Sequence, residues 1–549
     1  TQIVKDGATG GPILDFLKWD VTAAAYWLRP ERLGNVFIIG GGGGRDMLTA
    51  RQFGARDVDV VELNPAVVAA SQQAFAEFSG RPYDLPVVHL TLGEARSELS
   101  RRNQQYDLMQ MSMIDTWASS MSGSLVMTEN SLYTEEAYRL FLSRLKPDGI
   151  LSVSRWYSRE QYGELGRVLA LMGRALRSAG VVSPAEHIAV VHNQGYLDQS
   201  VVTCVMKRSP FTAAERTALV ELCGRMQFTL LWPEVAGVTK HDAVNIAGIL
   251  ADDPAVLTDG EFDLTPPSDE RPFFFNTRRP LLSWLTALRT GDSRRGNVST
   301  VVLGGVLLLL LVASFSLVVR PLRQYYAAMP QSQHVPSRNL RWPILYFAGI
   351  GGGFMLIEVA LIQRYIVFLG HPTYAVSVVL FTLLLFSGVG SSLTDRLGRQ
   401  APRRIAYRAL IGIGFGIVLT MLLVPVILLA ATSWQLPARV ALAVTLIAPL
   451  SICMGMIYPL GVRLLARADL QEYVPCLWGI NGVGAVAASP FAMLLAMNLG
   501  YSMVLIAALL CYALTLTAVL WQRSTPNEGL LPTPMSAQQS RMGAVALRD

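Results

Sequence analysis

The stretch Val36–Pro65, VFIIGGGGGRDMLTARQFGARDVDVVELNP, constrains the fold more than any other part of the chain. An apolar run (Val36–Ile39) meets a glycine turn (Gly40–Gly44). A helix is expected over about Asp46–Phe53 and a second buried strand over Val58–Glu62. Short apolar runs bounded by glycine read as strands, and the longer polar-apolar stretch between them reads as a helix. A β-turn-α-β unit of this kind sets a helix N-terminus and closely approaching backbone under a nucleotide-like ligand. Glu62 closes the second strand about twenty residues after the glycines. There a carboxylate can accept hydrogen bonds from two ribose hydroxyls. A tight turn that binds nothing would show the same glycines, so Glu62 is what favours a ligand.

The five consecutive glycines followed by Arg45-Asp46 depart from the dinucleotide pattern. They resemble the AdoMet-binding turn of class I methyltransferases and spermidine synthases. IVKDGATG (Ile3–Gly10) is similar to the hairpin that precedes the nucleotide fold in those synthases. YDLMQMSMIDTWAS (Tyr106–Ser119) stands where they carry YDVIIVDSSDP. ENSLYTEEAYRLFLSRLKPDGILSV (Glu129–Val153) matches their helix and returning strand. On these stretches the chain resembles membrane-bound spermidine-synthase-like proteins. The likeness runs from Ile3 to Trp156 and continues through PPSDERPFFF (Pro266–Phe275) and the apolar half.

The resemblance implies an α/β Rossmann-like AdoMet-binding domain followed by an all-α multi-span membrane domain. It implies AdoMet or decarboxylated AdoMet on Gly40, Gly41, Gly42 and Gly44, with Glu62 on the ribose and Glu94 near the adenine amino group. Glu94 fits equally as a helix N-terminal acid favoured by the dipole. Arg45 suits the carboxylate of intact AdoMet, or else pairs with Asp46 or Asp57. Aminopropyl transfer needs a base, because an ammonium has no lone pair. Aligned on Tyr106-Asp107, the first catalytic aspartate of the family is Ser112 here, and the second is Asp115. Asp115 is therefore the candidate to hold or deprotonate an amine. Lys18-Trp19-Asp20 lies near the synthases' Tyr-His pair, and no His matches it. Asp20 serves a cationic substrate or simply caps a helix. These departures point away from an ordinary putrescine aminopropyltransferase. Thr116–Asn130 reads as a lid over the crevice, with Glu129 and Tyr133 lining a substrate pocket at its end.

The second half has a different character. The chain is 52% hydrophobic with a mean hydropathy of +0.37, unlike a soluble enzyme. The first 297 residues hold no run long enough to span a bilayer. Beyond them, apolar runs at 298–319, 342–361, 374–389, 409–431, 440–460, 478–499 and 501–521 each approach the length that crosses a ~30 Å core. The expected layout is 1–30 leading into the nucleotide fold, 31–277 the synthase-like domain, 278–297 a basic linker, 298–523 about seven helices, and 524–549 a polar tail. The chain opens on TQIVKDG without an initiating Met or signal peptide, as a segment of a longer chain would. Five scattered cysteines and six histidines show no metal spacing, so no metal site is expected.

The +6 net charge comes mostly from arginines between the apolar runs. It speaks of membrane orientation and not of nucleic acid. Gly390–Arg404 resembles the cytoplasmic loop of major facilitator transporters. Glu358 lies inside an apolar run, with Arg364 its candidate partner. Gly351–Gly353, Gly482 and Gly484 permit close helix contacts. The expected partners are the lipid bilayer and a small-molecule amine or lipid-soluble acceptor; a homo-oligomer stays open. The expected location is a bacterial inner membrane. AdoMet chemistry places the soluble domain in the cytoplasm, while Arg320, Arg323, Arg338 and Arg341 place the loop after the first span there instead. The rival reading is a transporter-like protein whose synthase-like domain is a non-catalytic sensor or scaffold.

Overall fold

The computed structural model describes residues 12–29, 33–115, 130–193, 200–239, 244–258, 262–278, 298–321, 324, 337–397 and 401–521. The Ile3–Gly10 hairpin, the lid up to and including Glu129, residues 279–297 of the linker and the polar tail lie outside them.

The glycine turn joins β1 (Asn35–Ile39) to α1 (Arg45–Gln52), and β2 (Asp57–Glu62) follows. Val36–Ile39 and Val58–Glu62 are buried, as befits strands covered on both faces. α2 (Pro65–Ala69), β3 (Val88–Leu92), α3 (Ala95–Arg101), β4 (Tyr106–Ser112), α4 (Glu135–Arg144) and β5 (Leu145–Tyr157) continue the alternation. After α5 (Gly163–Ser178), the chain adds β6 (Ile188–Asn193), β7 (Ser200–Lys207), α6 (Ala213–Met226) and β8 (Thr229–Trp232). The sheet order is β3-β2-β1-β4-β5-β7-β6-β8. The first five strands run parallel, and β7, β6 and β8 pair antiparallel beyond them. The chain leaves β1 toward β2 and β3, then returns to β4 on its other side. That reversal opens a crevice at the C-terminal ends of β1 and β4, where α/β sheets bind ligands.

Two helical segments are broken. The segment before β1 forms separate turns, Pro12–Trp19, Val21–Ala23 and Ala24–Trp27. They divide at Asp20, whose extended backbone and side chain cap the second turn. The helix that starts at Pro65 is regular only to Ala69. It widens into a π turn over Ala70–Ala74 and breaks at Phe75, where φ is −116°.

Among the described residues, the apolar half contains seven helices long and apolar enough to cross a bilayer. They are α7 (Val298–Ser314, extended by a π turn to Val319), α8 (Ser337–Leu369), α9 (Pro372–Leu397), α10 (Pro402–Leu422), α11 (Leu436–Arg467), α12 (Val474–Leu499) and α13 (Tyr501–Trp521). α8 packs against α9, α11, α12 and α13. Two of the expected glycines make this close packing possible. A Cβ on Gly351 would lie 2.0 Å from the Asn481 carbonyl oxygen, and one on Gly484 would lie 2.8 Å from that of Ala348. Gly482 faces open space instead. The run expected over 409–431 is two helices, because the chain turns at Leu423 before Pro425 starts a short helix, Val424–Ala430.

The α/β domain sits at one end of these helices. Ser97 of α3 contacts Gly370 and accepts a hydrogen bond from Arg439 Nη1 at 3.0 Å. Glu270 accepts through its backbone oxygen from Tyr501 N at 3.0 Å and through its carboxylate from Ser502 N. Arg364 reaches Glu270 Oε2 at 3.2 Å and donates to Thr420 O at 2.6 Å. The expected Glu358–Arg364 pair is therefore replaced. Arg364 lies near the domain end of α8, where an acid from the α/β domain meets it.

Candidate functional site

The site starts from the backbone of the glycine turn. Gly40, Gly42 and Gly44 have φ of +82°, +50° and +93°, conformations that side chains disfavour. Packing adds a second demand: a Cβ on Gly44 would lie 2.3 Å from Pro82 Cγ, and one on Gly41 would lie 2.5 Å from Tyr83 Oη. Above Gly42 there is open space, with no atom within 4 Å of an added Cβ. Tyr83 Oη donates to Gly42 O at 2.8 Å. Glu62, at the end of β2, accepts from Gly42 N at 3.0 Å and from Asn64 N at 2.9 Å. Its carboxylate thus ties the turn to the strand. Each oxygen still has a lone pair for a ligand hydroxyl.

A cavity of about 320 Å³ opens beside Gly40, at the start of this turn. Gly40, Glu62, Glu94 and Asp115 line it together. Gly41, Gly42, Gly44 and Arg45 do not. Arg45 Nη1 pairs with Asp20 Oδ2 at 3.2 Å, and its Nε lies 3.6 Å from Asp46. Asp57, its other expected partner, is held by His89 at 2.9 Å. Asp20 therefore works as a cap and as the partner of Arg45.

Glu94 caps α3, accepting from Arg96 N at 3.1 Å and Ser97 N at 2.7 Å. Burial pushes its carboxyl above the usual range, and these two bonds oppose that rise. Asp115 leaves the end of β4 and accepts from Arg155 Nη1 at 2.7 Å. The Arg155 side chain is only 1% exposed and also holds Glu164 at 2.5 Å. Burial alone would lower the guanidinium, but Glu164, Tyr133 and Asp115 more than reverse this.

Tyr133, expected in the pocket, is instead fully buried. It stacks on Phe274 at 4.1 Å and receives a hydrogen bond from Arg155. The reason is the PFFF run, which fills the space beside α4 with aromatic rings.

Two features escaped the sequence reading. Asp269, from the DERPFFF segment, lines the cavity and receives a bidentate bond from Arg96, both distances 2.5 Å. The DER triplet was legible, but its position over α3 was not. Behind Ser112 lies a buried polar cluster. Tyr26 donates to Gln110, Gln110 donates to Ser112 Oγ at 2.9 Å, and Asp46 hydrogen-bonds Ser112. Burial raises the Asp46 carboxyl. The vacated aspartate position thus faces a carboxyl from α1.

Among the described residues no group of His, Cys, Asp and Glu could hold a metal ion.

The α/β half resembles known proteins. Residues 26–172 match the spermine/spermidine synthase domain family. A polyamine aminopropyltransferase of Sulfolobus acidocaldarius is 27% identical over 116 residues, 21% of this chain and 36% of that protein. Spermidine synthase from Thermotoga maritima is similar at 17% identity, covering 37% of this chain and 61% of that one, with a TM-score of 0.27. Human methyltransferase-like protein 13, solved with SAH, is similar at 16% identity over 39% of this chain and 92% of that one, with a TM-score of 0.28. The chain spans about a third of the curated relative's length. The family match places a spermine/spermidine-synthase-like domain within residues 26–172.

Proposed function

We propose that the chain is a membrane-anchored transferase of the spermidine synthase superfamily, using AdoMet or its decarboxylated form and acting on an amine. The observation that carries this reading is the convergence of Gly40, Glu62, Glu94 and Asp115 on one cavity at the crevice of the sheet. The open space over Gly42 fits a ligand lying on the turn. Glu62 would take the ribose hydroxyls, and Glu94 would lie beside the adenine. The sulfonium supplies an electrophilic carbon when the ligand is bound. Asp115, held by Arg155, orients the amine. Calorimetric titration of the purified chain with AdoMet and with methylthioadenosine tests the reading; no binding of either would remove it.

The activity is expected to differ from ordinary spermidine synthesis. With decarboxylated AdoMet and putrescine, methylthioadenosine release should be slow, since lost general-base help costs about 10²–10⁴-fold. Ser112→Asp should raise the trace rate. Its optimum should shift to higher pH, because Asp46 beside it disfavours a second negative charge. Robust wild-type turnover, unaffected by Asp115→Asn, would show that the base lies elsewhere.

One observation favours the rival, a transporter-like protein with a non-catalytic domain. The connections nearest the α/β domain, 370–371, 423–435 and 500, contain no Lys or Arg. Arg396, Arg403, Arg404, Arg408, Arg463 and Arg467 lie at the opposite helix ends. The positive-inside rule would put those ends in the cytoplasm and the domain outside. Against this, Arg278, Arg279, Arg289, Arg294 and Arg295 lie in the sequence between the α/β domain and the first span. Val182 is 94% exposed on the domain surface. On the transferase reading, Val182→Cys stays unlabelled by an impermeant maleimide in intact cells and labels after permeabilisation. Labelling in intact cells would favour the rival.

A further inference from the structure

We propose that the acceptor is an amphipathic amine that enters from the bilayer, its charged head at the carboxylates and its apolar chain against the membrane helices. This rests on the transferase reading of the same cavity and adds the class of acceptor. The cavity has two chemically different walls. The α/β wall presents four carboxylates, Glu62, Glu94, Asp115 and Asp269, and none of the lining residues is basic. Arg96 compensates Asp269 from behind, but the single guanidinium of Arg155 is shared between Asp115 and Glu164, so the charge left beside Asp115 is negative and suits a cation.

The other wall belongs to the membrane half. Gln363, Ile366 and Val367 of α8, Pro372 of α9 and Tyr501 of α13 complete the lining. Gln363, Ile366 and Val367 stand at i, i+3 and i+4, so they share one helix face. That face continues along α8 through Ile362, Val359 and Met355, which are apolar and only partly buried. A partly buried apolar stripe, bordered by Glu358, therefore runs from the cavity along a helix long enough to span a bilayer. A small hydrophilic diamine would need only the acidic wall. A long-chain amine uses both walls, and the stripe supplies a path for its chain.

The test uses the full chain in lipid nanodiscs, with empty nanodiscs as the control for partitioning. Butylamine, hexylamine and octylamine are titrated, with octanol for comparison. Affinity should rise by up to about fourfold for each methylene that becomes buried, and octanol should bind far more weakly than octylamine. Ile366→Asn should flatten the chain-length series, so that octylamine gains little over butylamine. Affinity independent of chain length in the wild type, beyond that of empty nanodiscs, would overturn the proposal, and so would octanol binding as tightly as octylamine. These wild-type outcomes decide it even if the variant fails to fold. Methylthioadenosine titrated into the same preparation tests the transferase reading separately. Its absence alongside a steep amine series would remove the transferase and leave an amphiphile site.

Discussion

Arg155→Met is expected to destabilise the α/β domain by up to about 3–5 kcal/mol, because it removes a buried guanidinium that serves two partly buried carboxylates. Arg155 joins three elements. It binds Asp115 from the end of β4 at 2.7 Å, Glu164 from α5 at 2.5 Å, and the Tyr133 hydroxyl at 3.2 Å. Its guanidinium also lies 5.1 Å from the Phe275 ring centroid and 5.6 Å from that of Phe274. Methionine fills much of the volume but supplies none of the donors. For a domain of this size the change corresponds to roughly 6–20 °C in Tm. Arg155→Lys should recover little, since one ammonium cannot reproduce the planar fork that spans two carboxylates. A thermal scan of the solubilised chain, read by circular dichroism, checks this. An unchanged transition in the methionine variant would mean that the Arg155 cluster contributes nothing to the fold.

Glu62→Ala should weaken binding of an adenosyl ligand by about 1.5–3 kcal/mol, the usual worth of a hydrogen bond to a charged group. That is roughly 10- to 150-fold in Kd. Part of the loss comes from the ligand hydroxyls and part from the turn, since Glu62 also holds Gly42 N and Asn64 N. Glu62→Gln separates charge from shape. Its side chain keeps the length, but its amide nitrogen is a donor facing one of two backbone N–H donors. It should therefore lose nearly as much as alanine. Calorimetry with methylthioadenosine on folded wild type and both variants checks the point. A glutamine variant that binds as tightly as wild type would show that the carboxylate does not face the ligand.

The local elements around the turn were legible in the sequence because they depend on neighbours in the chain. The apolar run Val36–Ile39, the glycines and the strand ending at Glu62 announce a β-turn-α-β unit through backbone conformation and short-range burial. The apolar runs announce the long helices for the same reason, since covering a backbone in hydrocarbon is a matter of consecutive residues. Even there a boundary moved, at Leu423, where a following proline interrupts a regular helix.

Partnership was decided only by the tertiary structure. Arg45 looks available for a ligand carboxylate, yet Asp20 arrives beside it from the preceding helical turns. Glu358 and Arg364 share one helix, yet Arg364 pairs with Glu270, 94 positions away in the chain. Asp269 reaches the cavity because Arg96 draws it over α3. The acidic and apolar walls of that cavity come from opposite halves of the sequence. Helix and strand formation depends on nearby residues and leaves a pattern in the chain. A charge pair or a cavity wall depends on which distant segments pack together, and no spacing in the sequence records that.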